Sequence, residues 1–399
     1  MWEQIRANRT KSFVLVGAMA AVLLGIGYII GMMFFGSPIG GLFIALIIWG
    51  VMSLVAYFEG DNIFLSISRA KKIERDDHPR LYNIVEEMKI ASGLEYMPAI
   101  YIIDDPAMNA FATGRDPKKA AVAVTSGLLQ NLNRDELQGV IGHEIAHIKN
   151  RDVLLMTMCG VLLGTIVMIS YYMMHMLFWG GISGGRRGGG GGSGGAIILL
   201  VGLVLMIVAP ILARLIYYAI SRKREYLADA TAAQYTRYPE GLASALEKLG
   251  GSRLQPQSAN EALAPMYITN PFRKKGKAAT DLSSTHPPIS ERIRILRSMG
   301  GASFADYNAS YTAVHRGGGS VMPVSALAGA GSLGIRAASS EAAVGEPSKI
   351  ERTREVSDLM WKKNNYKTIN CNCGTKLKVP PNIKRFTVKC PHCGTTHSV

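Results

Sequence analysis

Asp135-Glu136-Leu137-Gln138-Gly139-Val140-Ile141-Gly142-His143-Glu144-Ile145-Ala146-His147-Ile148-Lys149 reads as one amphipathic helix. Leu137, Val140, Ile141, Ile145 and Ile148 recur at three- and four-residue spacing, and Asn133 or Asp135 is placed to cap its start. Within it lies an H-E-x-x-H pattern. Residues four apart share a helix face, so His143 and His147 can grip one Zn²⁺ while Glu144 stands beside a metal-bound water as a proton acceptor. Two imidazoles are not enough for a catalytic metal, which takes a third protein ligand and keeps one position open. The helix is expected to continue toward an apolar block beginning at Val153, which sets this site at a membrane edge.

That block is one of four. Phe13–Phe35, Gly41–Phe58, Val153–Trp179 and Ala196–Ile220 are almost free of charge, and each is about long enough to cross a ~30 Å hydrocarbon core. The later pair is interrupted by His175, Pro210 and Arg214, so whether both of its members cross fully stays open. The chain has 399 residues, 48% of them hydrophobic and 18% charged, which excludes a disordered protein. Five cysteines in that length exclude a disulfide scaffold.

The 44 basic and 29 acidic residues give a net charge of +15. Much of the excess flanks the apolar blocks: Arg6, Arg9 and Lys11, then Arg69, Lys71, Lys72 and Arg75, then Lys149 and Arg151, then Arg222, Lys223 and Arg224. If all four blocks span, every one of these groups falls on one side, and the positive-inside rule makes that side cytoplasmic. A bacterial cytoplasmic membrane, with both termini and the site inside, is the expectation. The charge suits a lipid bilayer, and nucleic acid need not be invoked.

The third ligand is sought just past the fourth block, in Glu225-Tyr226-Leu227-Ala228-Asp229. An antiparallel hairpin of the third and fourth blocks brings Glu225 beside His143 and His147. Asp229, one turn on, can then fix a ligand histidine from behind. If Glu225 is not the ligand, His286 or Asp152 is next. Around these motifs, 61–152 is read as a half-domain with short strands at Ala99–Ile103, Ala110–Thr113 and Ala120–Thr125, and 221–300 as its mainly helical second half. Residues 1–60 and 153–220 are the two membrane hairpins, the second with a Gly-rich outer loop carrying Arg186 and Arg187.

H-E-I-A-H followed two spans later by E-Y-L-A-D resembles the HtpX-type membrane zinc metalloproteases, relatives of the CAAX prenyl endopeptidases. Asn109-Ala110-Phe111-Ala112-Thr113-Gly114 and Ser284-Thr285-His286-Pro287-Pro288 with Arg292 are similar to further segments of that family, in the same order. The resemblance covers about residues 1–300. It implies four membrane helices joined to a mainly helical gluzincin domain with a small sheet. It implies zinc on His143, His147 and Glu225, and Glu144 as general base. Asn109, Ala110, Phe111, Ala112 and Thr113 become the edge that binds an extended peptide. His286 and Arg292 are expected near the cleft, steadying the oxyanion or a substrate carbonyl. The implied activity is endoproteolysis of peptide or membrane-protein substrates at the cytoplasmic face, as in membrane-protein quality control. The alternatives are a processing protease for one membrane or lipidated substrate, and a non-enzymatic anchor that presents a binding module.

Residues 301–360 contain small-residue tracts without periodicity and are read as a flexible linker. In 361–399, Cys371-Asn372-Cys373-Gly374 and Cys390-Pro391-His392-Cys393-Gly394 read as a zinc ribbon holding a second, structural Zn²⁺, with His392 or His397 as substitute ligands. Its partner is not encoded in any motif.

Overall fold

The computed structural model describes residues 2–179, 203, 207–214, 222–252, 254–257, 266–269, 286–316, 319–329, 331, 333–339, 345–381 and 387–398. Helices α1 (Trp2–Phe35) and α2 (Pro38–Ile67) form the first hairpin, and α6 (Asp152–Trp179) packs against both. Three helical stretches are long and apolar enough to cross a membrane: Phe13–Met32, Pro38–Ile67 and Asp152–Tyr172. Phe13, Phe43 and Leu54 point outward, as a helix apolar on every face requires when its solvent is lipid. Where α1 meets α2, a Cβ on Gly41 would lie 2.0 Å from the Gly27 carbonyl oxygen, so only glycine permits that backbone approach.

Most of the expected fourth span, Ala196–Ile220, lies outside the described residues, as do the Gly-rich loop with Arg186 and Arg187, and Ser284 and Thr285. The described stretch 207–214 is helical, and its Ala209 and Ala213 are buried in the same cluster as α1 and α6.

The other layer is a four-stranded mixed sheet covered by helices. Strands β1 (Lys71–Ile73), β2 (Ala99–Ile103), β3 (Ala110–Thr113) and β4 (Ala121–Thr125) lie in the order β1-β2-β4-β3. β2 and β4 run parallel, and the two outer pairs are antiparallel. Every residue of β4 is buried, as befits a strand covered on both faces. Helices α3 (Pro79–Ser92), α4 (Ser126–Asn131), α5 (Arg134–Lys149), α7 (Arg222–Thr236), α8 (Pro239–Gly251) and α9 (Ile289–Arg297) complete the body.

Helix α5 is the central element. Asn133 and Glu136 close a capping box at its start, and Asp135 and Glu136 sit on the positive end of its dipole. At its crossing with α8, a Cβ on Gly139 would meet the Leu242 amide nitrogen at 2.6 Å. The glycine lets α8 and its neighbour α7 close onto the face that carries the histidines.

Helix α5 does not run on into the membrane. It ends at Asn150, and Arg151 takes a left-handed φ of 60° before α6 begins. For a non-glycine residue that conformation costs about 1–2 kcal/mol. The break has a use, since a continuous helix would carry residue 152 away from the face of residue 147.

The 301–360 segment also departs from expectation, because it is not a free linker. It holds helices α10 (Phe304–Val314), α11 (Val324–Ala328) and α12 (Lys349–Lys363). Tyr307, Val321, Met322, Val356, Leu359 and Met360 enter the same core as α3 and α5. Arg336 and Ser339 both bind the Asp135 carboxylate, at 2.6 and 2.8 Å. Spaced anchors hold a chain whose intervening small residues carry no periodic signal.

At the far end of α12, Lys362 and Lys363 reach Asp77 at 2.8 and 2.6 Å. Burial works against the Asp77 charge, but the Glu74 amide and the two lysines hold its carboxyl well below the usual range. Beyond α12, hairpins β5–β6 (Lys367–Asn370, Lys376–Val379) and β7–β8 (Thr387–Lys389, Thr396–Ser398) form a small module.

Two outcomes are expected. Leu359→Ala should lower stability by about 2–3 kcal/mol, read from unfolding in detergent. The Asp77 carboxylate contributes while ionised, so its contribution is complete above the unfolded value near ~4 and fades as pH falls through the depressed folded value. Hydrogen exchange in α12 should therefore accelerate on acidification below about pH 4, and Asp77→Asn should show the faster exchange already at neutral pH.

Candidate metal centre

The i,i+4 spacing on α5 sets the His143 and His147 rings side by side, at 88° and 4.8 Å between centroids. Their Nε2 atoms are 3.2 Å apart. Glu225, in the first turn of α7, closes the triangle: its Oε2 lies 3.5 Å from His143 Nε2 and its Oε1 3.5 Å from His147 Nε2. Ligands at 2.0–2.1 Å in tetrahedral array stand about 3.3 Å from one another, so the three donors have the spacing that zinc demands. His143, Glu144 and Glu225 are buried and His147 is partly so.

Each imidazole is held from behind. Asp229 Oδ1 lies 3.0 Å from His143 Nδ1, and Asp152 Oδ2 lies 3.1 Å from His147 Nδ1. Both rings thus turn Nε2 toward Glu225. Asp152 is the residue that sequence reasoning misplaced, since it entered only as a reserve ligand. Its one signal is its position directly after the helix break, which returns it to His147.

Arg292 departs from the expected cleft position. It is fully buried, donating from Nε and Nη2 to the two Asp229 oxygens at 2.8 and 2.7 Å and from Nη1 to the Ile268 carbonyl at 3.0 Å. Asp229 would be a buried charge without it. Its guanidinium is engaged by that pairing, and its Nη1 also stands 3.8 Å from Glu225 Oε2. His286 is buried too, its Nε2 3.7 Å from Glu225 Oε2. Burial pushes its pKa down to about 4.

The charges around the centre are set by burial first. Burial opposes an ionised Glu225, yet His286, His143 and His147 hold its carboxyl well below the usual range. Burial likewise disfavours charge on His143, and the hydrogen bonds to Asp229 and Glu225 overcome it, raising the pKa to about 9. Glu144 is the opposite case. Burial pushes its carboxyl up and the two histidines only partly offset that. Neither of its oxygens has a hydrogen-bond partner among the described residues.

A cavity of about 20 Å³, room for roughly one water, opens beside Glu144, Ala112 and His147, with Met266 and Tyr267 across from them. The expected peptide edge is already engaged in part. The Ile268 amide donates to the Ala110 carbonyl at 3.0 Å, the Asn109 side chain donates to the Thr269 carbonyl at 3.3 Å, and Tyr267 packs edge-on to Phe111. Thr113 is buried. In the β3–β4 ladder the Asn109 carbonyl faces β4, so alternation turns Ala112, like Ala110, to the outer edge. Ala112 is the strand residue that meets the cavity.

In the terminal module, Cys371, Cys373, Cys390 and Cys393 form a second cluster. Cys371 and Cys393 sulfurs are 3.3 Å apart, and those of Cys373 and Cys390 are 3.7 Å apart. Four sulfurs bound at ~2.3 Å stand about 3.8 Å from one another. Gly374 and Gly394 turn the chain after each pair, at φ 83° and 79°. The four cysteines suffice, and neither His392 nor His397 belongs to the cluster.

Residues 75–300 match the model of peptidase family M48. A protease HtpX homolog of Dictyoglomus turgidum is 44% identical over 299 residues, which cover 75% of this chain and 95% of that protein. One from Streptococcus pneumoniae (strain Hungary19A-6) is 42% identical over 301 residues, 75% of this chain and 100% of its own length. The crystal structure of S. mikatae Ste24p aligns at a TM-score of 0.39 and 20% identity, covering 74% of this chain and 67% of that one.

Asp152→Asn and Asp229→Asn should each weaken metal binding at the centre by about 10- to 100-fold, measured by competition with a chelator. Glu225→Ala should weaken it further, because a donor atom is lost and not merely its support.

Proposed function

The chain belongs to peptidase family M48, and from that premise we propose that this membrane-bound metalloprotease holds zinc on His143, His147 and Glu225 and hydrolyses peptide bonds with Glu144 as its proton carrier. The observation that carries the assignment is the triangle of Nε2, Nε2 and carboxylate oxygen at 3.2, 3.5 and 3.5 Å. Two neutral imidazoles and one carboxylate are the donor set of a catalytic zinc with an open position. Zinc bound there supplies Lewis-acid polarisation of a carbonyl and makes water more acidic.

The protein's own groups do the rest. Glu144 is buried, and burial raises the pKa of its carboxyl, as suits a group that must both take and return a proton. It accepts the proton of the attacking water at a carboxylate oxygen and delivers it to the leaving amine nitrogen. Asp152 and Asp229 keep the imidazoles in one tautomer throughout. The outer edge of Ala112 orients the substrate backbone by strand pairing.

The substrates are membrane proteins or their exposed segments, cleaved at the cytoplasmic face of a bacterial inner membrane. What supports this is that Asp152, which opens the apolar helix α6, touches His147, and that the basic flanks share one side if all four apolar blocks span. Clearance of damaged membrane proteins is the role this reading favours. The terminal cysteines hold a second, structural zinc.

Glu144→Gln should abolish cleavage of casein or a membrane-protein substrate while metal content remains at about two zinc per chain. Turnover above a few percent of wild type would remove Glu144 from its role. Cys390→Ala should lower the metal content by about one and leave peptide cleavage in place, because no proposed catalytic ligand lies beyond residue 300.

A further inference from the structure

Of the three consecutive basic residues Arg222, Lys223 and Arg224, only Arg224 turns inward. It precedes ligand Glu225 on α7, is 8% exposed, and lines the cavity with Glu144 and Ala112. Its Nη2 meets the Met156 sulfur at 2.9 Å, a weak acceptor. Its Nη1 stands 3.8 Å from Asp152 Oδ1, beyond hydrogen-bond length, and Asp152 Oδ2 is committed to His147. Nε and Nη1 have no hydrogen-bond partner among the described residues. Buried N–H donors are almost always satisfied.

We propose that Arg224 is a peptide-binding residue, donating from Nε and Nη1 to a backbone carbonyl of a substrate that lies along the cavity. The proposal rests on the reading of this cavity as the catalytic site. Ala112 and Arg224 line the same cavity, so a substrate carbonyl held beside the outer edge of Ala112 lies within the guanidinium's surroundings. The carboxylate of Asp152 already lies near the guanidinium charge, so the vacant donors call for a neutral acceptor, which every peptide carries. Arg224 therefore contributes to affinity for extended backbone and not to the choice of side chain.

The test measures binding of uncleaved peptides to full-length, zinc-loaded Glu144→Gln protein in detergent. Adding Arg224→Gln should weaken binding by about 10- to 100-fold, the range for a lost hydrogen bond to a charged donor, and equally for peptides with acidic, neutral and basic side chains. Arg224→Lys should recover part of the loss. Peptides in which one backbone carbonyl at a time is replaced by a methylene supply a second measurement. At one position the replacement should cost affinity in the Arg224 protein and nothing further in Arg224→Gln.

The proposal is overturned if every replacement costs the same with and without Arg224, which would leave water as the guanidinium's partner. A defect confined to acidic peptides overturns it as well. So does loss of zinc from Arg224→Gln under competing chelator at unchanged peptide affinity, since Arg224 would then act through Asp152 and His147. The catalytic reading fails on a different result, residual turnover in Glu144→Gln alone.

Discussion

Two imidazole nitrogens and a carboxylate oxygen must converge within one metal's reach, although they belong to helices separated in sequence by a membrane-embedded segment. No single contact achieves this. His143 is fixed by Asp229, Asp229 by the two-pronged Arg292, and Arg292 by the Ile268 carbonyl. His147 is fixed by Asp152. Removing one member of such a buried series leaves the next as an uncompensated charge, so the series is retained or lost largely as a unit.

Close backbone approach makes that convergence possible. Gly139 lets α8 lie against α5, and Gly142 leaves ordinary van der Waals space beside Ala232 of α7. A Cβ at Gly139 would force α8 outward, whereas one at Gly142 would rest 3.5 Å from Ala232 of α7. The buried alanines of α7 (Ala228, Ala230, Ala232 and Ala233) fit the same requirement. Small residues on these helices set the distance at which the charged ones can meet.

The sequence revealed those parts of the site whose geometry is local. Residues four apart on a helix must share a face, so His143 and His147 are legible without any knowledge of the fold, and so is the Glu225–Asp229 pair. The strands at Ala99–Ile103 and Ala110–Thr113 announce themselves by composition, and the structure places both within those bounds. Asp152 and Arg292 were harder to place because their roles depend on long-range closure. The left-handed Arg151 that returns Asp152 to His147 has no glycine to announce it, and nothing near Arg292 reveals that Asp229 will lie opposite. The same limit hid the docking of 301–360. Its anchors Arg336, Val356 and Leu359 are separated by stretches that carry no period, so the segment resembles a tether although its side chains are built into the core.

The division of the centre around the second membrane segment bears on how the protein is made. On the ribosome, His143, Glu144 and His147 emerge before Asp152–Trp179, whereas Glu225, Asp229 and Arg292 emerge only afterwards. A nascent chain still entering the bilayer therefore owns Glu144 and two imidazoles without the carboxylate of Glu225. The set is complete only once residue 292 has been made, with about a quarter of the chain still to follow. During synthesis, neighbouring polypeptides at the insertion machinery meet a chain that cannot yet cut them.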